Sequence, residues 1–302
     1  MQIINKIFVL VFVLLIQSTQ VLSQKYDVNI YSVNEGLYSG QVYDVEFANN
    51  GNVWFGTVYG IILSDGISFQ RYGYDNGFKD EVVNDLLIDS DNNLWVATYN
   101  SGVGLFSNDT LRYLPELEEI KDLDINVIKE KRDGSIWFGT SESGVFIYNR
   151  SNNDLSRLTV DDSDFLKNIV WDICFTSDDE VWISTHEGLV ILDRNNQVLK
   201  SYNKTNGLTG DIVYHVYEVE NGDKWVSTEG GVSIINKNYE IENITEINGT
   251  ELSYVYNVNQ DRTGRIWIGT ERNGLFWYSE NKKVHITKDN GLSSNYVYRL
   301  VK

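Results

Sequence analysis

One phrase is written six times along this chain: VWFGT around Trp54, LWVAT around Trp95, IWFGT around Trp137, VWIST around Trp182, KWVST around Trp225 and IWIGT around Trp267. Successive tryptophans stand 41, 42, 45, 43 and 42 residues apart. A unit recurring at such a period cannot bury its apolar surface alone and must stack against copies of itself. The period suits helical arrays as well as propeller blades, so the residues between the tryptophans decide. Gly, Asn and Asp interrupt them every several residues, and no run of a dozen keeps a helical apolar spacing. Each repeat therefore reads as strands joined by turns.

The repeat at Trp54 shows the pattern. Gln41 to Ala48 alternates and carries Val, Tyr and Phe; Asn49 to Gly51 is a turn. NVWFGTVY is a second strand, IILSDG a third closed by Asp65–Gly66, and ISFQRYGY a fourth. Asp75 to Phe78 leads into the next repeat. The prediction is an all-β fold, a β-propeller of four-stranded antiparallel blades. The tryptophan ring is expected to wedge between blades, and the Thr three residues later to bond a neighbouring blade. The Gly or Ser between them leaves room for close approach. Tyr26 to Leu37 matches only a fourth strand and exit turn, and Asn290 to Lys302 only an exit turn and a first strand. Six complete repeats plus an incomplete seventh shared by the termini are thus expected, the chain being cut from a seven-bladed parent.

Residues 1–23 hold one Lys near the start, an apolar run from Ile7 to Ile16, and Val21 and Ser23 at the −3 and −1 positions of a cleavage site. This is the layout of a secretory signal peptide, leaving residues 24–302 for the propeller. The expected location is the periplasm, or the extracellular space if the chain ends at Lys302. The sole cysteine, Cys174, lies in an apolar alternating run and is expected to be a buried thiol. A net charge of −18 argues against nucleic acid as a partner.

The stretches GLSSNYVYRLVK and DRTGRIWIGTERNGL, and the longer NGLTGDIVYHVYEVENGDKWVSTEGGV, resemble the two-component regulator propeller repeat. The resemblance covers nearly all of residues 26–302, with weaker entry turns at the Trp137 and Trp182 repeats. It implies a periplasmic sensor region of a hybrid histidine kinase, with a downstream sandwich and kinase region or a homodimer partner. It also implies a small polar ligand, with oligosaccharides sensed by several members. Sialidase-type Asp boxes are missing, because the place five residues before each Trp holds Asn49, Ser90, Arg132, Ser177, Glu220 and Arg262.

No catalytic constellation is legible. His186, His215 and His285 stand alone in their repeats, and no spacing suggests a metal or cofactor. The exits of the second strands vary while the framework repeats, which is how a grafted binding site reads. Tyr59, Tyr99, Glu142, His186, Glu187, Glu229, Glu271 and Arg272 are the candidates. A second set on the first strands, Tyr43, Asn84, Asn126, Trp171, Tyr214, Tyr256 and Tyr298, is expected chiefly to pack blade on blade. The positions after it, Asp44, Asp85, Val127, Asp172, His215, Asn257 and Arg299, are expected to line a central channel and hold water. The competing readings are a secreted polysaccharide lyase or hydrolase acting through Glu229 or Glu271, and a non-functional fragment.

Overall fold

Six sheets of four antiparallel strands follow one another along the chain, and in each the strands run in sequence order. This β-propeller was obtained as a computed structural model that describes residues 30–159, 169–279 and 282–301. The predicted signal peptide lies outside the described residues. No described helix is long and apolar enough to cross a membrane.

The first strands, Val42–Phe47, Val83–Ile88, Ile125–Glu130, Val170–Phe175, Val213–Glu218 and Val255–Gln260, are the innermost. The tryptophan strands pair with them as second strands: Val53–Thr57, Leu94–Thr98, Ile136–Thr140, Val181–Thr185, Lys224–Thr228 and Ile266–Thr270. The four-strand reading of the repeat therefore holds, with turns at the expected Asn and Gly positions. Gly51, Gly134, Gly222 and Gly264 all adopt positive φ between first and second strands, a conformation that a Cβ disfavours.

The tryptophans wedge between blades as expected. Trp95 meets Phe138 and Tyr148 of the third blade, Trp137 meets Phe175 of the fourth, and Trp225 meets Tyr278 of the sixth. Burying such a ring removes roughly 150–250 Å² from water, or ~4–6 kcal/mol gross at about 25 cal/mol per Å². The small residue after the wedge also has its predicted role. A Cβ on Gly56 would come to 3.0 Å from Val83 of the next blade, and one on Gly139 to 2.6 Å from Val170.

The repeated Thr does something else. Each Thr Oγ1 donates to the Gly carbonyl of its own second-to-third turn, at 2.8–3.2 Å in all six blades. It also accepts a backbone N–H from inside that turn. The contact is within the hairpin because the tight turn brings its last carbonyl back to the strand end. Bonds between blades include those of the first-strand aspartates. Asp44, Asp85 and Asp172 accept from the N–H of Leu86, Ile128 and Val216 on the following blade.

Both partial repeats occupy repeat-like places. Val297 abuts Gly269, where a Cβ would come to 2.8 Å, as Val83 abuts Gly56. Tyr31 packs edge-on against Phe69 of the first blade, and the Leu37 N–H donates to Ser32 O as Leu208 and Leu292 do in their exit turns. No strand is assigned over residues 292–301, so the described residues form six complete blades with the seventh represented by these two segments.

Candidate functional site at the channel mouth

All six first strands carry one irregularity. The pairing with the second strand slips by one residue near the strand start, at Tyr43, Asn84, Asn126, Trp171, Tyr214 and Tyr256. Such a bulge re-aims the extra side chain, and these are six of the seven residues of the second set singled out in the sequence, Tyr298 being the seventh. Three of them, with Tyr298, meet from blade to blade around the mouth of the channel. Trp171 lies 6.1 Å from Tyr214, Tyr214 5.0 Å from Tyr256, and Tyr256 5.0 Å from Tyr298. Tyr298 and Tyr43 remain exposed. The blade-on-blade packing expected of this set is thus an arc of rings, with two of its five aromatics, Tyr43 and Tyr298, open to solvent.

The other half of the mouth is polar. Asn84 Nδ2 donates to Asp124 Oδ1 at 2.8 Å and to the Ile125 carbonyl, and Ser141 donates to Asp124 Oδ2 at 2.5 Å. Burial raises the Asp124 pKa. An aromatic arc facing an amide–carboxylate cluster offers ring faces on one side and hydrogen bonds on the other.

The exit loops ring this mouth. Tyr59, Tyr99, Glu142, His186, Glu187 and Arg272 are exposed, while Glu229 and Glu271 are half-buried. Among the described residues, one polar contact joins any two of the eight: Arg272 Nη2 to Glu271 Oε1 at 3.6 Å. Glu229 is occupied structurally, since its carboxylate accepts the N–H groups of Asp211 and Ile212 at 2.8 Å each. Glu271 lies beside the arc. Burial, then the Glu271 charge and the neighbouring rings, push Tyr256 up to about 12.

Below the mouth the channel widens into a cavity of about 610 Å³, opening toward the face opposite the exit loops. Asp172, His215, Asn257 and Arg299 line it, as expected, together with Glu46, Lys129 and Cys174. Asp172 Oδ1, His215 Nδ1, Asn257 Oδ1 and Asn259 Oδ1 are buried without a hydrogen-bond partner among the described residues, the situation that ordered water resolves in a polar cavity. Burial, with the Asp44 charge, pushes Glu46 up to about 7; burial holds His215 at about 4 against the neighbouring Asp172 charge. Cys174 is half-buried on the channel wall, and burial pushes its thiol up to about 12, which leaves it a poor nucleophile. Sequence reasoning missed Glu46 and Lys129, although both fall two positions beyond the expected channel residues. Among the described residues, no group of three or more His, Cys, Asp or Glu could hold a metal.

Comparison with known proteins fits this framework. The two component regulator propeller model matches residues 77–100 and 251–272. Histidine kinase P4 of Formosa agariphila is 28% identical over 158 residues, 48% of this chain and 12% of that protein. The extracellular domains of the hybrid two component systems BT3049 and BT4673 from B. thetaiotaomicron superpose with TM-scores of 0.76 and 0.73 at 20% and 19% identity. They cover 91% and 90% of this chain, which spans only 39% and 36% of theirs. Virginiamycin B lyase from Staphylococcus aureus shares the fold at a TM-score of 0.65 and 15% identity, over 81% of this chain and 83% of its own. The matched segments fall in the second and sixth repeats of the chain.

Proposed function

We propose that this chain is the ligand-sensing propeller of an exported two-component sensor, and that it recognises a small polar ligand of the oligosaccharide class at the channel mouth. The observation that carries this reading is the bulge arc. Trp171, Tyr214, Tyr256 and Tyr298 present aromatic faces opposite Asn84, Asn126 and Asp124, a combination suited to sugar rings and hydroxyls. The family supports the sensing role, with a downstream sandwich and kinase region or a homodimer partner as receiver. An exported chain of this kind works in the periplasm or outside the cell.

The test is a thermal-shift and calorimetric screen of the purified propeller against oligosaccharide fragments, with product analysis alongside. Binding without turnover, weakened at least tenfold by Tyr256→Ala, is the expected result. Turnover lost on Glu271→Gln would identify a polysaccharide-cleaving enzyme instead.

A further inference from the structure

Six residues before each motif tryptophan the chain has Ala48, Asp89, Lys131, Thr176, Val219 and Asp261. Where the residue is Asp, its carboxylate caps the indole: Trp95 Nε1 donates to Asp89 and Trp267 Nε1 to Asp261, each at 2.8 Å. Lys131 lies over the Trp137 ring at 5.2 Å. Trp137 and Trp182 also donate to Ser135 and Glu180. Val219 leaves Trp225 uncapped, but that ring is only 6% exposed. At Trp54 the small Ala48 gives neither cap nor cover. The Trp54 indole N–H has no protein acceptor among the described residues, and the ring is half-buried, as is that of the capped Trp267, where Trp95, Trp137 and Trp182 are 1% exposed.

The space so left is a groove of about 620 Å³ between the first and second blades, on the face opposite the channel mouth. Trp54, Tyr72 and Phe106 form its aromatic wall, with ring centroids 4.8–5.9 Å apart. Its rim carries the side-chain amides of Asn49, Asn50, Asn52, Asn92 and Asn108. Asp109, the one rim carboxylate among the described residues, lies beside Tyr72, and burial together with that carboxylate pushes Tyr72 up to about 12. Among the described residues, no cationic side chain lines the groove.

We infer that this groove is a second binding site, and that it takes a neutral sugar unit. Primary amides both donate and accept, which matches vicinal hydroxyls. A half-exposed indole face matches the C–H face of a pyranose, and its free N–H supplies one more donor. The volume falls within the range of small-ligand pockets. An anionic ligand finds no counter-ion among the described lining residues, and a purely apolar one would strip water from five amides without return.

The Trp54 environment reports occupancy. Tryptophan emission of the full chain is titrated with cellobiose, maltose, mannobiose and xylobiose up to about 20 mM, enough to saturate a millimolar site. The key variant is Ala48→Asp, which copies the second blade and places a carboxylate cap where the groove opens. It should keep or raise the melting temperature. At least one disaccharide is expected to quench the wild-type emission, with affinity at least tenfold weaker in Ala48→Asp and in Asn52→Ala but unchanged in Tyr256→Ala. Quenching that survives Ala48→Asp and disappears in Tyr256→Ala would put the sugar at the mouth, overturning the groove site while supporting the sensing reading. No response to any of the four sugars would overturn the groove as a sugar site and leave the mouth open to other polar ligands.

Discussion

Arg299 Nε stands 2.7 Å from Asp44 Oδ1, tying the segment after the sixth blade to the first strand of the first. The same guanidinium reaches Asp85 Oδ1 at 3.4 Å. Asp44 and Asp85 are both buried, and each is already committed to a backbone N–H of the next blade. Without Arg299, two nearby buried carboxylates would be left with Lys129 as their neighbouring cation. Arg299→Met is expected to cost about 2–4 kcal/mol, below the full penalty for breaking a buried pair because Arg299 keeps some solvent contact. Arg299→Lys should recover only part, since an ammonium cannot reproduce the guanidinium fork. Urea midpoints of the three proteins measure this. An unchanged midpoint in Arg299→Met would mean that other contacts close the ring.

Gly139 illustrates how closely the blades approach. An added Cβ would lie 2.5 Å from Val127 Cγ1 and 2.6 Å from Val170 Cγ1. Gly139→Ala is expected to destabilise by about 1–3 kcal/mol through overpacking. Pairing it with Val170→Ala should return much of that loss, which a double-mutant cycle would read as coupling.

The wedge tryptophans, the four-strand blade and the Gly contacts were legible because each leaves a repeated mark: a large ring, alternation, or a residue without Cβ at a fixed place. The partner of the repeated Thr was not legible, since it is a backbone carbonyl and any residue offers one. Nor was the first-strand bulge, because slipping the register by one residue at Tyr43 or Asn84 needs no particular side chain. It decides whether those residues face a neighbouring blade or the mouth. The link from Arg299 to Asp44 spans nearly the whole sequence and depends on ring closure. The groove beside Trp54 differs from these. Its signal, Ala48 against Asp89 and Asp261, is visible on aligning the repeats, but its meaning appears only when the capped and uncapped indoles are compared.

The turn lock can be tested at Thr185, which is wholly buried. Its hydroxyl donates to Gly188 O at 2.8 Å and accepts from Glu187 N–H at 3.2 Å. Thr185→Val keeps the shape but leaves that carbonyl and N–H without this partner, so a loss of about 1–3 kcal/mol is expected. Thr185→Ser should lose less. Hydrogen exchange of the Glu187 and Gly188 amides would speed up in the valine variant alone.

Glu46 and His215 line one cavity and make stability respond to pH in opposite directions. Burial and the Asp44 charge raise Glu46 from 4.5 to about 7. Between those values the folded chain holds a proton that the unfolded chain has released, so this contribution falls as pH rises. Burial lowers His215 from 6.5 to about 4. There the unfolded chain binds a proton that the folded chain refuses, so this contribution is lost as pH falls from 6.5 toward 4. The two slopes oppose each other from pH 4.5 to 6.5, and above 6.5 only Glu46 remains active. Relative to wild type, Glu46→Gln should gain stability progressively as pH rises from 4.5 to 7. His215→Asn should gain as pH falls from 6.5 to 4, provided the amide fills the space. Denaturant midpoints at half-unit intervals from pH 4 to 8 separate the two. Parallel curves for wild type and Glu46→Gln would show that this carboxyl titrates alike in the folded and unfolded chains.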